Sequence, residues 1–222
     1  MKNLLIFLFV LAAVSGFSTQ SYAGLELRGT DSLGVRLIYD SDLDVTWYDH
    51  TNSYNTWQNQ MDWVSALTVD FGGTIYDDWR LPSTVDGIFS LGYDGTTTAG
   101  YNITSSEMGH LFYTGLENKG YCDASANCPQ PGWGLTNTGP FLNLRPYTYW
   151  SGTEYAADTV FAWSFSNNYG YQGSYNKDYN PYYAVAVRPG DVAVVPEPVS
   201  MMLFGIGAVL LVALRIVIRR RG

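Results

Sequence analysis

An apolar run at each end of the 222-residue chain confines the folding problem to the stretch between them. Near the start, Lys2 precedes the run Leu4 to Val14, and small and polar residues lead on to Ser21-Tyr22-Ala23. A charged entry, a short apolar core and small residues at positions −3 and −1 predict a secretory signal peptide over 1–23, cleaved after Ala23. Near the end, Val199 to Leu214 is apolar, and the run reaches Ile218 if Arg215 snorkels. About twenty residues at 1.5 Å each span about 30 Å, the thickness of a bilayer core. This predicts a C-terminal transmembrane helix over 199–218 and a basic cytoplasmic tail over 219–222, with Arg219, Arg220 and Arg221 inside and the body outside. A body over 24–190 and a linker over 191–198 remain, enough for one domain with a real core.

The composition suits a turn-rich β fold better than a helical bundle. Only 14% of residues are charged, against 18 Tyr, 7 Trp and 23 Gly. All 20 acidic residues lie between Glu26 and Glu197, with only seven basic ones, so this span carries a net charge of −13. No basic face is available for phosphates, which excludes nucleic acid as a partner.

Period-two alternation at Leu25, Leu27, Val35, Leu37 and Tyr39 predicts an opening pair of strands, and Val45 to Tyr48 another. Asn55 to Phe71 reads as a first helix. It starts at a capping-box-like Asn55/Gln58, has Trp57, Met61, Val64, Leu67 and Phe71 on one face, and stops at Gly72-Gly73. Thr104-Ser105-Ser106-Glu107 opens a second helix, with Met108, Leu111, Phe112 and Leu116 as its apolar face. Val160 to Phe165, the turn Asn167 to Gly170, and Tyr183, Val185 and Val187 add further strands.

The hub of the body is Asp77-Asp78-Trp79-Arg80-Leu81-Pro82. Trp79 and Leu81 alternate as a half-buried strand, Pro82 ends it, and Arg80 points to the other face and needs an acidic or carbonyl partner. Trp79, Arg80, Leu81, Pro82, Trp150 and Arg188 are expected to act through packing and ion pairing rather than through a ligand. Asp40, Asp42 and Asp44 resemble the start of a calcium loop. Val45 stands where that loop needs Gly, and Thr51 where it needs Glu. A polar hairpin turn is favoured, with the three Asp residues kept as candidate cation ligands. His50 and His110 have no Cys or carboxylate at ligand spacing and predict no zinc site. Cys122 and Cys128 share one loop of an exported protein and predict a local disulfide. No cofactor motif is present.

Two resemblances follow from these residues. Pro196-Glu197-Pro198, the apolar run and the basic tail together resemble a PEP-CTERM sorting signal over about the last 28 residues. This implies an exosortase and the secretion machinery as partners, removal of the tail, and a Gram-negative host that makes exopolysaccharide. The body resembles the Lcl C-terminal domain family, a domain of unknown function. The matching stretches are Leu37 to Tyr48, Asp77 to Pro82, Ser106 to Phe112, Tyr149 to Tyr155 and Tyr183 to Gly190. The resemblance implies an α+β, C-type-lectin-like or formylglycine-generating-enzyme-like fold with two helices on a twisted, mainly antiparallel sheet. The sugar motifs of calcium lectins and the paired active-site cysteines of formylglycine-generating enzymes have no counterpart here.

The expectation is an exported cell-surface or extracellular-matrix protein with a non-catalytic binding module for carbohydrate or envelope components. Tyr169, Tyr171, Tyr175, Tyr179 and Tyr182 are its candidate sugar-facing aromatics. A self-associating structural matrix protein is the alternative. A polysaccharide hydrolase is the least favoured reading, because no paired carboxylates stand in a recognisable constellation.

Overall fold

A computed structural model describes residues 24–192. The expected signal peptide 1–23, the sorting motif Pro196, Glu197 and Pro198, the apolar run 199–218 and Arg219, Arg220 and Arg221 lie outside the described residues. The described residues form eleven strands: β1 (Leu25–Thr30), β2 (Arg36–Asp40), β3 (Val45–Asn55), β4 (Val69–Phe71), β5 (Thr74–Tyr76), β6 (Leu91–Gly92), β7 (Ala99–Gly100), β8 (Thr148–Glu154), β9 (Phe161–Ser166), β10 (Tyr171–Asn176) and β11 (Tyr182–Pro189). Nine of them form one sheet in the order β1-β2-β3-β11-β8-β9-β10-β7-β6, while β4 and β5 form a separate hairpin. The β8–β11 and β6–β7 pairs are parallel; the rest of the sheet is antiparallel.

The expected α+β architecture is corrected to a mainly β one. Among the described residues, helix is limited to α1 (Trp57–Ser65) and α2 (Glu107–His110), with a π-helical segment, Leu111–Gly115, continuing α2. The stretch 55–71 is not one helix. Asn55 closes β3, the N-cap is Thr56, and the Asn55 carboxamide oxygen accepts from Thr56 N at 3.0 Å and Asn59 Nδ2 at 2.6 Å. After Ser65 the chain turns back to strand. Gly72 and Gly73, both at positive φ (62° and 83°), form a two-residue hairpin turn between Phe71 and Thr74. A Gly-Gly pair stops a helix or makes a hairpin equally well, and β-branched Thr68 and Val69 favour the strand.

The second helix begins two residues later than its sequence signal. Ser106, not Thr104, caps it, accepting from Gly109 N at 3.1 Å. Glu107 makes no reciprocal cap because Arg80 and Ser83 hold its carboxylate. An i→i+5 bond from Leu116 N to Leu111 O (2.8 Å) widens the last turn.

Among the described residues no helix is long and apolar enough to cross a membrane. The expected transmembrane helix over 199–218 has no counterpart among the described residues: α1, the longest described helix, has nine residues, under half of the roughly 20 that a span needs.

Neighbouring residues of the central strands enter different cores. Ile38, Trp47, Tyr149, Phe165, Val185 and Val187 pack with Met108, Leu111, Phe112 and Leu116 of the α2 segment. Leu37, Tyr48, Trp150, Ala162, Ala184 and Ala186 pack with Trp57 and Val64 of α1, Phe71, Trp79 and Leu81. The alternation is that of the pleat, so both faces of the sheet are covered. Gln60 of α1 is fully buried and ties the helix to the sheet by donating to Ser53 O (2.7 Å) and Tyr182 O (2.8 Å).

Candidate functional site

The hub residues of the sequence lie within the packing. Arg80 exchanges two main-chain hydrogen bonds with Val187 (2.8 and 2.9 Å), which brings the hub against the middle of β11. Its guanidinium grips Glu107 with two bonds, 2.7 and 2.6 Å, and Glu107 also accepts from Ser83 N at 2.6 Å. This pairing raises the Arg80 pKa above its ordinary value. Trp79 and Leu81 are core residues, and Trp79 donates its indole N–H to Tyr76 O. The Pro82 carbonyl accepts from Ser151 Oγ and Gly152 N, fixing the hub to β8, where Trp150 is fully buried. Arg188 pairs with both oxygens of Asp78 (2.8 and 3.0 Å) and stacks on the Tyr76 ring.

The concave surface lies elsewhere, across β8, β9 and β10. Thr148 of β8 pairs with Ser166 of β9, and Ser166 with Tyr171 of β10. Two small hydroxyl residues side by side leave a depression that larger neighbours flank. A cavity of about 510 Å³ is lined by Tyr101, Tyr121, Thr148, Ser166, Tyr169, Tyr171 and Tyr175. An adjoining one of about 220 Å³ shares Thr148, Ser166 and Tyr169 and adds Tyr54, Tyr147, Tyr182 and Tyr183. Nine tyrosines therefore line this groove of two adjoining cavities.

Local structure sets each wall. Gly170 closes the β9–β10 turn at φ 66°, donating to Ser166 O at 2.7 Å, and its own carbonyl accepts from Tyr113 Oη at 2.5 Å. A side chain at Gly170 would collide with Tyr113 and Gly120, so the turn that carries Tyr169 and Tyr171 needs glycine. Tyr169 stacks flat on Trp133, centroids 5.4 Å apart, and Tyr121 meets both rings edge-on. The Cys122–Cys128 disulfide closes the loop next to Tyr121, as the sequence predicts, and Tyr121 N donates to Tyr169 O at 2.7 Å. Tyr147 stacks on Tyr183 at 4.7 Å, and Tyr101 meets Tyr171 edge-on at 5.2 Å.

Among the described residues, the groove lining holds no charged side chain. Burial raises the phenols of Tyr101, Tyr171 and Tyr175, and pushes that of Tyr182 up to about 12, so they stay neutral at physiological pH. Among the described residues, the bonded phenols are those of Tyr39, Tyr48, Tyr113, Tyr149 and Tyr155, all outside the groove. The groove hydroxyls are left for water or a ligand. Four of the five aromatics picked from the sequence (Tyr169, Tyr171, Tyr175 and Tyr182) line this surface, and the fully exposed Tyr179 does not. Sequence reasoning missed Tyr54, Tyr101, Tyr121, Tyr147 and Tyr183, which five different segments supply.

The acidic turn divides. Asp40 is buried and accepts from Asp42 N, Leu43 N and Trp47 Nε1 at 3.2 to 3.4 Å. Asp44, at φ 52°, instead accepts from Tyr39 Oη at 2.9 Å, and its carbonyl accepts from Gly190 N. His110 takes its place beside Asp40 and Asp42. Glu154, at the end of β8, holds Lys177 at the surface at 2.6 Å.

No protein-family model, curated protein or solved structure matches this chain.

Proposed function

We propose that this chain is an exported surface or matrix protein whose body is a non-catalytic binding module for neutral polysaccharide. The observation that carries the proposal is the uncharged groove of nine tyrosines with Thr148 and Ser166 between them. Sugar rings offer C–H faces to aromatic rings and hydroxyls to phenols, so such a groove supplies both kinds of contact. The absence of charged side chains from its lining favours a neutral glycan over an anionic one and binding over hydrolysis, which needs a pair of carboxylates. Export and sorting rest on the sequence pattern alone: the signal-peptide pattern, Pro196-Glu197-Pro198 and the Arg219–Arg221 tail, read by an exosortase.

The test is a glycan array and a host-polysaccharide pull-down with the purified chain and with Tyr169→Ala. Retention of a neutral glycan by the wild type, weakened at least tenfold in the variant, is the expected result. No retention by the wild type, or equal retention by both, refutes the groove as the site.

A second reading, self-association of the chain in a matrix, is supported by one surface. Val85, Ile88 and Phe89, which precede β6, and Leu91 within it are exposed apolar residues, and β6 is the edge strand of the nine-stranded sheet. An apolar edge is a template for pairing with a second copy. Sedimentation velocity of the wild type and Ile88→Lys decides it: a concentration-dependent dimer lost in the variant supports it, and a monomer at all concentrations refutes it.

A further inference from the structure

We propose that Asp40, Asp42 and His110 form a binding site for a divalent cation of the zinc class. The end of β2 and the turn after it supply the carboxylates of Asp40 and Asp42, α2 supplies the imidazole, and one ligand atom from each lies within 4.8 Å of the others. An ion coordinated at about 2.0–2.2 Å holds its ligand atoms about 3–4 Å apart, so the set closes by a small swing of the exposed Asp42 side chain.

Two independent features point to a ligand there. His110 Nε2 is shut off from solvent and has no hydrogen-bond partner among the described residues. It stops 3.7 Å from Asp42 Oδ2, beyond hydrogen-bond reach. The second feature is the missing positive charge. Asp40 is buried on long, weak hydrogen bonds, and no Arg or Lys pairs with it or with Asp42 among the described residues. Trp47 Nε1, at 3.4 Å from Asp40 Oδ2, helps to orient that carboxylate.

The donor set selects the ion. Calcium takes six to eight oxygens, whereas one imidazole with two carboxylates and water suits a borderline ion such as zinc. The ion would join the β2–β3 turn to α2 across one core, at residues separate from the groove lining.

The experiment is thermal denaturation of the full chain, first stripped with chelator, in zinc or calcium at pH 7.5. Wild type, Asp42→Asn and His110→Gln are compared, with cobalt absorption as a spectroscopic readout. Zinc is expected to raise the wild-type Tm by about 5 °C at saturation. Both variants should lose that rise and the cobalt bands in the visible. Asp42 is exposed, so Asp42→Asn decides the question if His110→Gln does not fold. No shift with zinc, an equal shift in wild type and Asp42→Asn, or a response to calcium alone overturns the proposal.

Discussion

Replacing Arg80 with Ala tests whether the hub acts through stability. The substitution removes two charge-assisted bonds to Glu107 and a third, at 3.2 Å, to Leu81 O. It leaves the Glu107 carboxylate, only 13% exposed, with Ser83 N as its remaining partner. Breaking a fully buried pair costs about 3–5 kcal/mol, and an exposed one contributes about 0–1 kcal/mol. The Arg80 side chain is 39% exposed, so solvent screening brings the expected loss to about 2 kcal/mol. For a domain of this size that corresponds to a Tm lower by about 4–8 °C. Urea denaturation followed by tryptophan fluorescence reads the loss, because Trp79 and Trp150 sit in the affected core. A double-mutant cycle with Glu107→Ala should return a coupling of about 1–2 kcal/mol. A loss below about 0.5 kcal/mol, or normal stability with glycan retention abolished, refutes the reasoning.

Other perturbations probe separate parts of the structure. Replacing Cys122 and Cys128 with Ser should cost about 2 kcal/mol, as expected for a short closed loop, and should also weaken glycan retention by loosening Tyr121; denaturation and pull-down read the two effects. Gly170→Ala should destabilise the β9–β10 turn and lower retention, since its methyl would meet Tyr113 Oη at 2.6 Å and Gly120 Cα at 2.7 Å; an unchanged urea midpoint contradicts this. Arg188 holds the Asp78 carboxyl below its ordinary pKa, so the pair's stability is present above about pH 4 and lost as the pH falls through the lowered value; Asp78→Asn should flatten that acid limb in denaturation between pH 5 and 2.5.

Period-two alternation was enough to place β1, β2, β9 and β11, because a strand's side chains alternate whatever it packs against. Cys122 and Cys128, six residues apart in one loop, were similarly legible. The length of the helices was not. Gly72-Gly73 looks the same as a helix stop and as a hairpin turn, and only the pairing of Val69–Phe71 with Thr74–Tyr76 separates the two. That both faces of these strands are covered was not legible, although consecutive residues such as Leu37 and Ile38 are buried, one in each core.

The sequence by itself determined the charge of the body, its turn-rich β composition and its need for an acidic or carbonyl partner at Arg80, because these depend on residue type and local order. Tertiary structure alone decided that the partner is Glu107, 27 residues away, and that His110 rather than Asp44 stands beside Asp40 and Asp42. It also gathered tyrosines from Tyr54 to Tyr183 into one groove. The physical reason is that local propensity acts over a turn or a strand, whereas a site is defined by which strands lie side by side. Here β8, β9 and β10 set Thr148, Ser166 and Tyr171 in one row, and no spacing along the chain encodes that row.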